Sequence, residues 1–300
     1  MDVFLQQLVN GIAWGGIYAL IALGYTMVYG VLKLINFAHG EVYMMGAMSG
    51  YYSARWLGLS ERPGAASLLV ALGIAMAFCA ALGTAIERVA YRPLRRASRL
   101  APLITAIGVS LFFQNAGQLV FGADPKVAPQ LLETRELLRF GEVAVTNLQL
   151  VILGVAGGLC AALTFVVQRT RVGKAMRAVA FDQETAALMG ISIDRVIAFT
   201  FALGSALAAA AGILVSLSNP KVDPLMGLMP GLKAFVAAVL GGIGSIPGAM
   251  LGGVLMGIAE TLVAGYLSST YRDAIAFVIL IVILVVRPAG LLGHATKEKV

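Results

Sequence analysis

Residues 34–44 read LINFAHGEVYM, and they place an amide (Asn36), an imidazole (His39), a glycine (Gly40) and a carboxylate (Glu41) around Phe37 inside a long apolar region. Ionisable groups at membrane depth are costly, so they face the protein interior or a water-filled path and mark routes for solutes and ions. The chemistry they offer is the handling of a polar solute in transit. Bond-making chemistry lacks its parts. No GxSxG, HExxH or CxxC occurs, so a nucleophile elbow and a metal site are missing. Gly173-Lys174 resembles the end of a P-loop, but Gln168 and Ala175 stand where that motif needs glycine and Ser or Thr. Of the two histidines, His294 lies in the tail.

Asn36 is a favoured N-cap, and Gly40 loosens a helix interior. The stretch therefore reads as a break, with a new half-helix starting near Asn36, His39 on the same face, and Glu41 near its positive end. GGIGSIPG (241–248), with Gly241, Gly242, Gly244, Pro247 and Gly248, supplies a second break in the other half. Paired breaks in the two halves of a transporter point to the substrate's route. The alternative is that these residues only cap and staple helices. Glu260, in GIAETL, stands alone on its span and is either a pathway residue or a hydrogen-bonded structural glutamate. Lys233 is expected to snorkel to the interface, and Arg272 and Asp273 to form an interfacial pair at a span end.

The elements that must position these groups are membrane helices. Hydrophobic residues make up 59% of the 300 and charged residues 12%, against about 25% charged in soluble domains. Mean hydropathy is +0.89. The apolar runs are continuous, unlike the alternating strands of a membrane barrel, so the expected fold is all-α and polytopic. Candidate spans are 8–30, 36–54, 66–87, 101–121, 148–168, 196–218, 231–246, 249–267 and 274–291. The seventh and eighth flank GGIGSIPG and could instead be one broken or re-entrant segment, which gives eight or nine crossings in a single domain over 1–300.

The net charge of +7 sits in loops between spans and sets orientation; it does not call for nucleic acid. Arg88, Arg92, Arg95, Arg96 and Arg99 oppose only Glu87, and Arg169, Arg171, Lys174 and Arg177 follow the fifth span, so both loops are assigned to the cytoplasm. Residues 122–147, with Asp124, Glu133, Glu136 and Glu142 against Lys126, Arg135 and Arg139, are assigned outward, and the KEK tail at 297–299 inward. Cys79 and Cys160 read as small apolar side chains. The N-terminus lacks a basic n-region and a cleavage site, so no cleaved signal peptide is expected. Gly11 and Gly15, Gly46 and Gly50, Gly154 and Gly158, Gly248 and Gly252, and Gly253 and Gly257 recur at the spacing that permits close helix approach.

The second basic loop reads RTRVGKAMRAVAFDQETAALMGISIDR, and its middle, about 178–192, is expected to form a short amphipathic helix. There Glu184-Thr185-Ala186 followed by Gly190 resembles the E-A-A-x-x-x-G segment of ABC importer permeases, with Thr185 in place of an alanine. INFAHGEVYM, ERVAYRPLR, GKAMRAVAFD, ALMGI, AAVLGGIGSIPGAMLGG and RPAGLLG, spread nearly end to end, are similar to branched-chain amino acid importer permeases of the LivH type. This resemblance implies the ABC importer permease fold in a bacterial inner membrane. It implies a second related permease as partner, two ATPase subunits below that bind ATP and Mg, and a periplasmic amino-acid-binding protein above. This chain would hold no cofactor or metal and would be no enzyme. Glu184, Thr185, Ala186 and Gly190 would dock on an ATPase. The Asn36–Glu41 stretch would line or brace the path and handle a zwitterion's ammonium and carboxylate. Rival readings are a permease for urea or short amides, whose sequences look similar, and an ion-coupled secondary transporter that needs no docking loop. An intramembrane enzyme is remote.

Overall fold

A computed structural model describes residues 2–95, 97–98, 100–141 and 143–293. Arg96, Arg99, Glu142, His294 and the KEK tail, which entered the orientation and composition readings, lie outside the described residues.

The described residues form eleven α-helices: α1 Asp2–Leu32, α2 His39–Trp56, α3 Ala65–Ile86, α4 Leu100–Phe121, α5 Asn147–Arg169, α6 Arg171–Phe181, α7 Gln183–Leu188, α8 Ile193–Ser218, α9 Leu228–Gly241, α10 Ile246–Tyr266 and α11 Ala274–Val286. Each of the nine expected spans coincides with one helix, from α1 to α5 and from α8 to α11. Six are long and apolar enough to cross a bilayer (α1, α3 with its continuation to Leu94, α4, α5, α8 and α10), and α9 and α11 are shorter apolar helices. The protein is an all-α, multi-pass membrane protein.

The loops also carry strands that hydropathy does not forecast. β1 (Lys126–Val127) pairs antiparallel with β4 (Lys221–Val222), and β2 (Glu136–Phe140) with β3 (Val143–Thr146). Both pairs lie at one end of the bundle. The basic loops, α6, α7 and the turn between α9 and α10 lie at the other, where Gly30 of α1 approaches Gly244.

α1 runs through the centre and is buried almost continuously from Gly11 to Val28. It packs most heavily on α10 and then on α8. Small residues make this possible, because without a hydrophobic drive between helices in lipid, close backbone approach supplies the packing. A Cβ added at Gly11 or Gly15 would collide with the α10 backbone around Gly257 and Val254. One added at Gly46 would strike Ala209 of α8, and one at Gly252 would strike Ala237 of α9. Gly154 and Gly158 of α5 have nothing within 4 Å, so the same spacing packs against no described part of this chain.

α3 ends in a π-helical turn, Glu87–Tyr91. Glu87 is buried and pairs with Arg95. Arg92 and Arg95 both reach Asp194 in the first turn of α8, the latter at 2.6 Å. The first basic loop is thereby pinned to α8.

Candidate functional site: an acidic cavity between broken helices

α1 ends at Leu32, and Lys33 turns into the left-handed region at φ 56°. The chain breaks there, but the next helix starts at His39 rather than near Asn36, with Ala38 as a cap that makes no side-chain bond. Asn36 lies outside the helix and shares no face with His39. Its Oδ1 accepts from the Ala38 amide at 3.1 Å and from the buried Tyr91 hydroxyl at 2.8 Å. An asparagine that bonds its own backbone two residues on folds a turn, and Tyr91, far along the chain, fixes that turn in place.

Glu41, in the first turn of α2, lines a cavity of about 360 Å³. Its walls are Tyr25 of α1, Phe37, Gly40 of α2, Ile107, Ser110, Leu111 and Gln114 of α4, and Gly227, Leu228, Gly231 and Leu232 at the start of α9. The starts of α2 and α9 meet here, since a Cβ at Gly40 would overlap the Gly227 carbonyl. Glu41 is 1% exposed. Its Oε1 accepts from Gln114 Nε2 at 2.8 Å and from Ser110 Oγ at 3.2 Å. Its Oε2 is buried and has no hydrogen-bond partner among the described residues. Ser110 and Gln114 escaped the sequence reading, although polar residues four apart on a mostly apolar helix share one face.

His39 shares the first turn of α2 with Glu41 but packs elsewhere. Its ring is buried edge-on against Tyr25, centroids 4.8 Å apart, and fills space that Gly24 leaves open. It does not line the cavity.

Glu260 lies outside this cavity too. Its Oε1 accepts from Lys233 Nζ at 2.8 Å and from Arg272, while Lys233 reaches Asp273 at 2.6 Å. Two expectations are corrected. Lys233 is 6% exposed and does not snorkel; Arg272 and Asp273 each pair inward rather than with one another. A buried glutamate needs cationic partners, and these two cations come to it. The Arg272 guanidinium also stacks 5.2 Å from the Trp14 ring centroid.

GGIGSIPG forms a tight turn between two antiparallel helices. Gly242 and Gly244 adopt φ of 106° and 97°, in the region that favours glycine. Ser245 caps α10 by accepting from the Gly248 amide at 3.2 Å, and Pro247 occupies its first turn, where a missing amide costs nothing.

The segment expected as one helix over 178–192 is instead split. α6 carries the amphipathic pattern earlier, and extended backbone at Asp182 interrupts it. Asp182 caps α7 by accepting from the Thr185 amide at 3.0 Å, and that bond holds its carboxyl below the usual carboxylate range. Ala186 is buried, whereas Glu184 and Thr185 are exposed. Gly190, at φ 80°, closes α7 as the Ile191 amide returns to the Ala186 carbonyl. Gln183 donates to the Val31 carbonyl at the end of α1. Phe181, Leu188 and Met189 stand 94%, 88% and 78% exposed around α7, an apolar surface that the sequence reading did not single out.

Discontinuous helices at membrane depth around a buried carboxylate in a cavity define a multi-pass membrane permease. The chain belongs to the family described as the permease component of the branched-chain amino acid transport system, whose model matches residues 7–284. It is 47% identical to the high-affinity branched-chain amino acid transport system permease protein LivH of Escherichia coli K12, covering 99% of this chain and 98% of that one. Against the protein of the same description, BraD, from Pseudomonas aeruginosa, identity is 46% at the same coverage. A probable LivH of Methanocaldococcus jannaschii is 27% identical over 99% of this chain and 95% of its own.

Proposed function

We propose that this chain is a transmembrane permease subunit of an ATP-driven ABC importer for the branched-chain amino acids leucine, isoleucine and valine. The observation that carries this is the 47% identity over 99% of this chain, which covers 98% of a relative named for that transport. In this reading the chain forms half of the passage through a bacterial inner membrane, paired with a second related permease. The basic end, and with it the C-terminus, faces the cytoplasm. A periplasmic binding protein delivers the amino acid to the opposite end. ATP and Mg are bound and ATP is hydrolysed in two partner ATPases, and this chain contributes no catalytic group, metal or cofactor.

The Glu184–Gly190 segment is the coupling element. Exposed Phe181, Leu188 and Met189 supply an apolar surface for an ATPase groove, and Gln183 links α7 to the end of α1. The Asn36–Glu41 stretch lies on the path, with Phe37, Gly40 and Glu41 on its wall and Asn36 and His39 bracing it from behind. The turn at 241–248 and Glu260 belong to the support of the path in this reading.

The test is uptake of radiolabelled leucine into proteoliposomes. The full complex with its binding protein should import leucine only with ATP inside the ATPase compartment. The isolated chain under an ion gradient should import none; accumulation by the chain alone would establish the secondary-transporter rival. A cognate binding protein that holds urea and not leucine would establish the amide rival.

A further inference from the structure

Resting on the importer reading, we infer that Glu41 is the group that receives the ammonium of the passing amino acid, and that the carboxylate end is met by the facing subunit. An ionised carboxylate is acceptor-only, with about four lone-pair sites. Gln114 and Ser110 occupy Oε1. Oε2 is buried with no partner among the described residues, on a side chain that lines the cavity. A primary ammonium, compact and with donors to spare, matches that oxygen. Gly227 lies close to that oxygen, since a Cβ there would stand 3.2 Å from Oε2 and would already overlap the Gly40 carbonyl. The neighbouring walls, Phe37, Ile107, Leu111 and Leu228, suit an aliphatic side chain, and about 360 Å³ falls within the roughly 300–1,000 Å³ of small-molecule clefts.

The site is built for one end of a zwitterion only. Among the described residues that line it, none is cationic. The nearest cation in sequence to its α9 wall, Lys233, is held by Glu260 and Asp273, and the His39 ring packs on Tyr25 without itself lining the cavity. The substrate's carboxylate therefore needs donors that this chain does not bring. The cavity opens at the chain's surface beside α4, where Ile107 and Leu111 are exposed. A carboxylate in a cavity cannot be left facing lipid, so a protein wall must close that side, and that wall is where the donors belong.

A staple role for Glu41, holding α2 to α4, would survive replacement by an amide; an ammonium receptor would not. In the reconstituted full complex, Glu41→Gln should cut ATP-dependent leucine uptake about tenfold to a hundredfold, the size of one lost charge-assisted hydrogen bond, with ATP hydrolysis near wild type. Glu41→Asp should recover a substantial part. Uptake by Glu41→Gln at the wild-type rate would overturn the assignment. The unmodified complex gives an independent readout. Dicyclohexylcarbodiimide, an apolar reagent that attacks carboxyl groups in apolar surroundings, should label Glu41, and leucine should slow the labelling several-fold. Isocaproate, which has the same alkyl chain and carboxylate without the ammonium, should give no protection. Equal protection by both, or by neither, sinks the assignment. A wild-type complex that imports no leucine would instead sink the importer reading on which it rests.

Discussion

Tyr91 and Asn36 are 55 residues apart in sequence, and one hydrogen bond between them fixes the approach to α2. Both groups are buried, so each loses water without replacement if the other is removed. Tyr91→Phe leaves Asn36 still bonded to the Ala38 amide and should cost about 1 kcal/mol. Asn36→Ala strands both the Tyr91 hydroxyl and that amide, and should cost about 1–3 kcal/mol for each donor left unpaired. Thermal unfolding of the two variants in detergent orders them; equal losses would mean that the turn does not depend on the asparagine. The cluster around Glu260 gives a second test at this scale. Lys233→Met leaves Glu260 with Arg272 alone and Asp273 without its cation, and should cost up to about 3–5 kcal/mol, as breaking one member of a buried ionic set does. Lys233→Met with Glu260→Met removes one charge of each sign and should be the more stable of the two. A double variant below the single would show that the charges contribute separately.

Helices carry the next level of organisation, and their glycines decide it. α1 and α10 approach backbone to backbone, and Gly253→Leu would force a side chain into the backbone at Ala19. The expected result is loss of folded protein in detergent, while Gly154→Leu, on a surface with nothing within 4 Å, should fold normally. At the coupling segment, Gly190 has open space around it but a left-handed backbone. Gly190→Val should cost about 1–2 kcal/mol of local order and reduce leucine-stimulated ATP hydrolysis, whereas Gly190→Asn, which tolerates that conformation, should stay near wild type. Equal effects would mean that ATPase contact, and not backbone shape, matters there. Asp182 adds a pH test. Its folded carboxyl is held below the ordinary value by the Thr185 amide, so the cap is fully present above the unfolded value and is lost as pH falls through the lowered one. Hydrogen exchange over 183–190, corrected for intrinsic rate, should rise only under acid, and Asp182→Ala should raise it at neutral pH and abolish the acid-dependent rise.

On the scale of the whole molecule, hydropathy located nine helices and the two interruptions, because continuous apolar runs and clustered glycines are local signals. What it missed depends on distant partners. Asn36 looks like a cap until Tyr91 is seen beside it. Lys233 looks like a surface-seeking lysine until Glu260, on another helix, is known to be its neighbour. Ser110 and Gln114 gain meaning only when Glu41 faces them across the cavity. The strands at 126–127 and 221–222 are too short to leave a periodic trace, and each needs the other to exist.

That last pairing has a mechanical result. β1 leads out of α4 and β4 leads toward α9, and these helices are two of the cavity's walls. Lys126 lies opposite Val222, and Val127 opposite Lys221, so the two connectors form a single rim. The expected consequence is shared motion: a displacement of one connector is passed to the other through these paired backbones.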